Sequence, residues 1–449
     1  MGPNHLSRLP EDVTLNLIGY LNGTPTAFRH ASDKACLGQV NRCLSAARQK
    51  ASPVLHVDAD NVDRVLLKLA AGDYTQLTRV TVSSLHNNEQ LHSLLDALAT
   101  QPKLQALVIQ NCRYLSRFPI NIPAGITSLE ITNCTAPEPP VKQRHDAAYP
   151  ALPESLEHLS LSGSSAIRQI PYTLPSGLKS LDLANCNHLS RLPAKLPDGL
   201  QNLNLHRCGF LGSLPSHWPA DLKTLCLSHL YTLRQVPLNL PTRLNSLDLS
   251  YCTSLTEIPD TLPRSIKRLN ISRCASLRTL PEQLPASLQV LDCTQCLNLT
   301  SLPQALPEGL IYLKADECQS LMQLPDRLPN SLITLSVNRC RLLLGLPTRL
   351  PASLRVLQIA RCDLLQDLPR HLPENLLELT MSGCQQIVHV STNLPDTLEL
   401  LDASNCFNLI SLPNTLPSHL KKLILSKCKR LRQLPPLPAG LTDLHLTQC

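Results

Sequence analysis

Cysteine is the residue in this sequence whose spacing could do chemistry. It recurs at Cys186, Cys208, Cys252, Cys274, Cys296, Cys318, Cys340, Cys362, Cys384, Cys406 and Cys428, on one twenty-two-residue grid with Leu230 in the single empty slot. Cys112 and Cys134 are one period apart, and Cys449 ends the series one residue short of the grid. Fourteen of the eighteen cysteines hold this one position, which points to a single structural role repeated. Metal centres need mixed ligands converging on a point, and a straight column supplies none. A thiol is small, apolar enough to bury and a weak donor to turn carbonyls. Reduced core thiols are therefore expected, with no metal and no cofactor. The off-grid thiols are Cys36, Cys43, Cys226 and Cys293, none with a local partner that would lower its pKa. No phosphate loop, zinc-protease motif or nucleophile elbow occurs, and the fifteen histidines are dispersed. No catalytic residue is assigned, and a non-enzyme is expected.

A column of this kind needs a scaffold of the same period. From Leu181 to Leu200 the chain reads L-D-L-A-N-C-N-H-L-S-R-L-P-A-K-L-P-D-G-L, and the next copy starts at Leu203. A fixed period of this size means a stacked solenoid, each rung burying its leucines only against the rungs on either side. Aromatics are 3% of residues, so the interior is aliphatic. Within L-x-x-L-x-L-x-x-C-x-x-L, the L-x-L part reads as a strand with leucines inward and their neighbours outward. The two prolines of L-P-x-x-L-P fix φ and remove two backbone donors, so the return arm is expected to be extended or polyproline-like. Stacking at roughly 4.8 Å per strand makes sixteen such rungs about 75 Å long.

The period is not uniform. Leu55-His-Val57, Val80-Thr-Val82 and Leu107-Val-Ile109 read as strands, with helices over Val62 to Ala70 and Gln90 to Ala99. These rungs are longer, with twenty-seven residues from Leu77 to Leu104. The short form takes over at Cys112. One rung then arrives eight residues late, and the extra residues fall in the Pro-rich run Ala136 to Asp146.

Recognition is left to the outward strand positions. Asp182, Asn204, Asp248, Asn270, Asp292 and Lys314 form a middle column, with His206 and Asp316 in the next. Arg207, Tyr251, Arg273, Arg339 and Arg361 stand just before the cysteine slot. Together they predict a polar concave face with a basic edge, suited to a polypeptide through charge-assisted hydrogen bonds. Net charge is +7 with the basic residues scattered, so no nucleic-acid footprint is present. Neither a signal segment nor a membrane-length apolar run is found, and Leu6 breaks the myristoylation pattern. A soluble protein with no membrane partner is expected.

Residues 5–48 differ from the rest. Leu9 to Leu21 has apolar residues at helical spacing, Asn22-Gly-Thr-Pro25 breaks the helix, and a second helical run covers Asp33 to Arg48. The pattern Leu9-Pro10, Val13, Leu17, Tyr20-Leu21, then Asp33 and Leu37-Gly-Gln-Val40-Asn-Arg42, resembles an F-box. It departs from one in the longer loop Asn22 to Ser32 and in Leu44, where the family commonly has Trp. The resemblance implies docking on the Skp adaptor of a cullin ubiquitin ligase through Leu9, Pro10, Val13, Leu17, Tyr20, Leu21 and Val40. A helical cap over the first rung is the alternative.

The LP-x-x-LP arms resemble the LPX-type leucine-rich repeats of secreted bacterial effectors, with Cys where Asn is common and a period of twenty-two rather than twenty. The whole layout resembles the F-box leucine-rich-repeat effectors of plant-associated bacteria, delivered by type III secretion into the host cytoplasm or nucleus. The fold expected is an α/β solenoid: a leucine-rich-repeat horseshoe with parallel concave strands and extended convex arms. Its divisions are an F-box-like module (1–50), long strand–helix repeats (51–111) and LPX-type repeats (112–449). The resemblance implies an adaptor that binds a host Skp-type protein at one end and an unknown host target on the concave face. A scaffold on a host signalling protein, or an LPX ligase without its catalytic domain, remain the alternatives.

Overall fold

A computed structural model describes residues 54–449 apart from Thr75, 113–118, Ile120, 136–150, 165–169, Tyr172 and 391–392. The F-box-like segment and the Pro-rich insertion at 136–146 lie outside the described residues. The chain divides into two units, Met1–Ser52 and Pro53–Cys449, and everything below concerns the second.

The second unit opens with β1 (Val54–Val57), α1 (Val62–Ala70), β2 (Arg79–Ser83), α2 (Asn88–Leu98), β3 (Ala106–Gln110) and β4 (Ser128–Thr132). Three-residue strands follow: β5 (His158–Ser160), β6 (Ser180–Asp182), β7 (Asn202–Asn204), β8 (Thr224–Cys226), β9 (Ser246–Asp248), β10 (Arg268–Asn270) and β11 (Val290–Asp292). The series continues with β12 (Tyr312–Lys314), β13 (Thr334–Ser336), β14 (Val356–Gln358), β15 (Glu378–Thr380), β16 (Leu400–Asp402), β17 (Lys422–Ile424) and β18 (Asp443–His445). Each strand pairs in parallel with the next in sequence, and the leucines fall in register, Leu269 against Leu291 and Leu291 against Leu313. The chain is a leucine-rich-repeat solenoid.

Burial follows the repeat. Leu181, Leu203, Leu225 and Leu247 point inward at 1–2% exposure, and Leu178, Leu200, Leu222 and Leu244 before each strand are fully buried. The L-P leucines of the arms close the far side, as at Leu280, Leu284, Leu324 and Leu328. α1 buries Val62, Val65 and Leu69, and α2 buries Leu91, Leu94, Leu95 and Leu98 with Asn87 capping its start. Beyond β3 no helix occurs among the described residues, as the paired prolines dictate. The second proline of each arm has a role that periodicity alone does not reveal. Its carbonyl accepts the N–H three residues on, as from Leu200 to Pro197 and from Leu288 to Pro285, which turns the chain into the next strand.

The thiol column holds neighbouring rungs together. Cys186 Sγ donates to the Leu161 carbonyl at 3.1 Å, Cys208 to Leu183 at 3.1 Å, and Cys340 to Ala315 at 3.0 Å. Each acceptor is the turn carbonyl of the preceding rung, which also receives a backbone N–H such as that of Cys186 on Leu183. Ser164 takes the same slot one period before Cys186, and its hydroxyl makes the same bond to Ile131 at 2.8 Å. The slot therefore selects a small buried donor. Burial pushes the thiols of Cys186, Cys208, Cys252, Cys362, Cys384, Cys406 and Cys428 up to about 12, far from the nucleophilic range. The off-grid Cys293 is fully buried in an inward leucine position.

One backbone feature was not visible in the sequence. The residue before every slot from Asn185 to Gln448 lies in the left-handed region, with φ of 56° at Arg207, 60° at Tyr251 and 65° at Lys427. Asn, Asp and Gly tolerate this conformation; a long side chain pays about 1 kcal/mol. Only there can the backbone leave the strand and still send its N–H to the next rung, as from Arg207 to the Ser228 carbonyl at 2.9 Å. Lys427→Asn should accordingly raise unfolding free energy by roughly 0.5–1 kcal/mol. Gly383→Ala should lower it by about 1–2 kcal/mol, since φ there is +75° and the added Cβ would stand 2.9 Å from Arg361 Cγ. Chemical denaturation of the full chain measures both.

Candidate protein-binding face

The outward side of the sheet carries the predicted columns, and its middle column is tied to its own backbone. Asp182 Oδ1 accepts the N–H of Ala184, Asn204 that of His206, Asp248 that of Ser250, Asn270 that of Ser272, and Asp292 that of Thr294, all at 2.9–3.1 Å. These side chains cap strand ends, each with one oxygen committed and the side chain half-buried on the outward face. Lys314 cannot accept, and the next rungs adjust. Asp316 takes the N–H of Asn338 at 2.7 Å and the Ser336 hydroxyl at 2.6 Å, while Asn338 takes the N–H of Ala360 at 2.8 Å. Burial raises the Asp316 pKa against these hydrogen bonds.

The basic edge coincides with the left-handed column. Arg207, Tyr251, Arg273, Arg339 and Arg361 all occupy it. Arg339 pairs with Glu317 at 3.4 Å, an exposed contact of small energetic weight. The structure brings His206, Tyr251 and Arg273 together but leaves Arg339 and Arg361 further along the stack. Their meeting point includes Ser228 and His229, which the sequence places in the same outward columns, and Tyr231, which sequence reasoning missed. The signal was the empty slot at Leu230, which lies between them.

At this break planar groups stack on successive rungs. The His229 ring lies 3.9 Å from Tyr251, Arg273 sits 4.5 Å over the other side of Tyr251, and His206 meets His229 edge-on at 4.7 Å. His229 Nδ1 lies 2.9 Å from the Tyr231 hydroxyl. His206 Nδ1 is 2.6 Å from Ser228 Oγ, which in turn is 3.0 Å from Cys226 Sγ. A serine beside a histidine is the beginning of a nucleophilic site. Here the residue is 2% exposed and its hydroxyl bridges two side chains, so it serves as an internal link. Among the described residues no group of three or more His, Cys, Asp or Glu is arranged to hold a metal ion. Likewise, no described helix is long and apolar enough to cross a membrane.

Burial, reinforced by His206, Arg207 and Arg273, lowers the His229 pKa to about 4, and burial lowers that of His206. The unfolded chain takes up a proton near the ordinary value of 6.5 and the folded chain does not. Stability is thus fully present above pH 6.5 and is lost as pH falls toward 4. His229→Asn, which also suits a left-handed residue, should remove about 1–2 kcal/mol of the loss between pH 7 and pH 5. Urea midpoints of both proteins at the two pH values check this. At the caps, Asp292→Ala should cost about 1 kcal/mol while Asp292→Asn, which keeps the acceptor, stays within about 0.5 kcal/mol of wild type.

No model of a known protein family matches the chain, and no curated protein matches it in sequence. Solved structures resemble it as stacked repeats. YopM, a leucine-rich effector protein from Yersinia pestis, is 24% identical over 86% of this chain and 90% of its own, with a TM-score of 0.49. The internalin InlF from Listeria monocytogenes is 17% identical over 79% of this chain and 93% of its own, with a TM-score of 0.32. The functional domain of InlJ from Listeria monocytogenes, which includes a cysteine ladder, is 15% identical over 81% of this chain and 63% of its own, with a TM-score of 0.31.

Proposed function

We propose that the chain is a non-enzymatic adaptor that holds a protein target on the outward face of its solenoid. The observation that supports this most directly is the capped middle column. Asp182, Asn204, Asp248, Asn270 and Asp292 repeat at one register with their rotamers already fixed by backbone hydrogen bonds. Side chains ordered in advance lose little entropy when a partner arrives, so their contacts count more fully toward affinity. Cys252 and its grid neighbours are buried with raised pKa values and Ser228 is enclosed, which favours binding over a nucleophilic reaction.

The partner at the other end follows from the F-box resemblance of residues 5–48. In this reading Leu9, Pro10, Val13, Leu17, Tyr20, Leu21 and Val40 dock on a host Skp-type adaptor of a cullin ligase. The protein acts inside a host cell after type III secretion, and the target on the solenoid is presented for ubiquitin transfer. Glutamate at both Leu9 and Val13 should abolish retention of purified Skp by the full chain. Thermal unfolding of the solenoid should stay unchanged in that variant. Failure of the wild-type chain to retain Skp removes the adaptor half of the reading and leaves the binding face standing.

A further inference from the structure

The outward face has two territories. At each strand entry one carbonyl accepts two consecutive N–H groups: Lys267 takes those of Gln289 and Val290, and Gln289 those of Ile311 and Tyr312. This bulge-like step turns two successive side chains to the outward side, since the residue before them, Leu288 or Leu310, is fully buried. From β6 to β10 these two positions are polar, ending with Lys267 and Arg268. From β11 to β16 they turn apolar: Val290, Ile311 with Tyr312, Ile333, Val356, Leu377 and Leu400, all half-buried. Gln289, Thr334, Arg355, Glu378 and Glu399 take the other position beside Val290, Ile333, Val356, Leu377 and Leu400, so every rung of this stripe still carries an apolar side chain. Basic pairs bound it at both ends, Lys267–Arg268 on β10 and Lys421–Lys422 on β17, with Lys421 already paired to Glu399 at 2.8 Å and Lys422 beside it carrying the charge at that end.

We propose that this stripe receives an amphipathic α-helix of a protein partner, apolar along one face and acidic at both ends. The inference rests on the protein-binding reading above and names the class of segment bound. Periodicity decides for a helix. Rungs repeat at about 4.8 Å, and the turns of a helix repeat at about 5.4 Å, so one apolar residue per turn stays close to register. Same-side residues of an extended strand repeat at about 6.7 Å and fall out of register within two or three rungs. Length agrees: five rung intervals span about 24 Å, the length of a helix of about 16 residues. Residues just beyond that length reach the basic pairs, which favour acidic side chains there. Beside the stripe, Asp316, Ser336, Asn338 and Gln358 form a linked polar strip that faces the helix flank.

The test is selection of a displayed library of random 20-residue peptides on the full-length protein. Enriched sequences should carry apolar residues at i, i+3, i+4 and i+7 with Asp or Glu at both ends. Single clones should bind Ile311→Glu and Ile333→Glu about tenfold or more weakly than wild type. Because a buried edge could upset folding in those variants, Lys267→Glu and Lys422→Glu provide a second arm. Selection on that double variant, which leaves each end pair without net charge, should lose the preference for acidic ends. Enrichment of period-two or patternless sequences, or clones indifferent to the Ile311 and Ile333 substitutions but sensitive to Asp248→Lys, overturns the helix inference and leaves the binding face intact. No enrichment on wild type overturns both.

Discussion

Contact between one rung and the next, at the separation that parallel strand pairing imposes, is the constraint on which everything else in this molecule depends. No rung has a core of its own. Leu269 is buried because Leu247 and Leu291 flank it in register. The same separation lets a thiol reach the carbonyl of the rung before it, and lets a left-handed residue send its N–H to the rung after it. Backbone strain at each rung is thus tolerated in exchange for hydrogen bonds that continue the stack.

That separation also disciplines charge. Two ammonium groups on adjacent rungs would repel by about 1 kcal/mol even in water. The position before each strand avoids this by alternating Lys179, Gln201, Lys223, Asn245, Lys267 and Gln289, with Lys223 donating to Gln201 at 3.0 Å. Where charges do meet at this one position they are opposite, as in Lys179–Glu157 and Lys421–Glu399 at 2.8 Å. The surface is a set of ladders, and each ladder obeys its own rule.

Much of this was legible in the residues, because a repeat writes its core many times over. The strands around Leu55, Val80 and Leu107, the helix from Val62, the extended proline arms and the buried thiols all follow from periodicity and side-chain chemistry. The helix expected from Gln90 begins two residues earlier, at Asn88, where Asn87 supplies a cap. What stayed hidden were features with no single residue type behind them. Arg, His, Tyr, Glu and Lys all occupy the left-handed column, so composition gives no hint of its φ. The middle-column aspartates read as recognition residues, yet one oxygen of each of Asp182, Asp248 and Asp292 is fixed by the backbone, which only the folded structure reveals. The stacking at His229 was signalled by a missing cysteine, and a gap in a pattern is easily read as noise.

Leu230 has a consequence for how the stack comes apart. With a hydrocarbon in that slot, no sulfur reaches the Leu205 carbonyl, and the seam between β7 and β8 is bridged instead by His206 against Ser228. A thiol bond is indifferent to mild acid, while an imidazole contact is not. Among the described seams, this is the one expected to loosen first in acid, and the blocks on either side would then separate there as units rather than fraying from the tips.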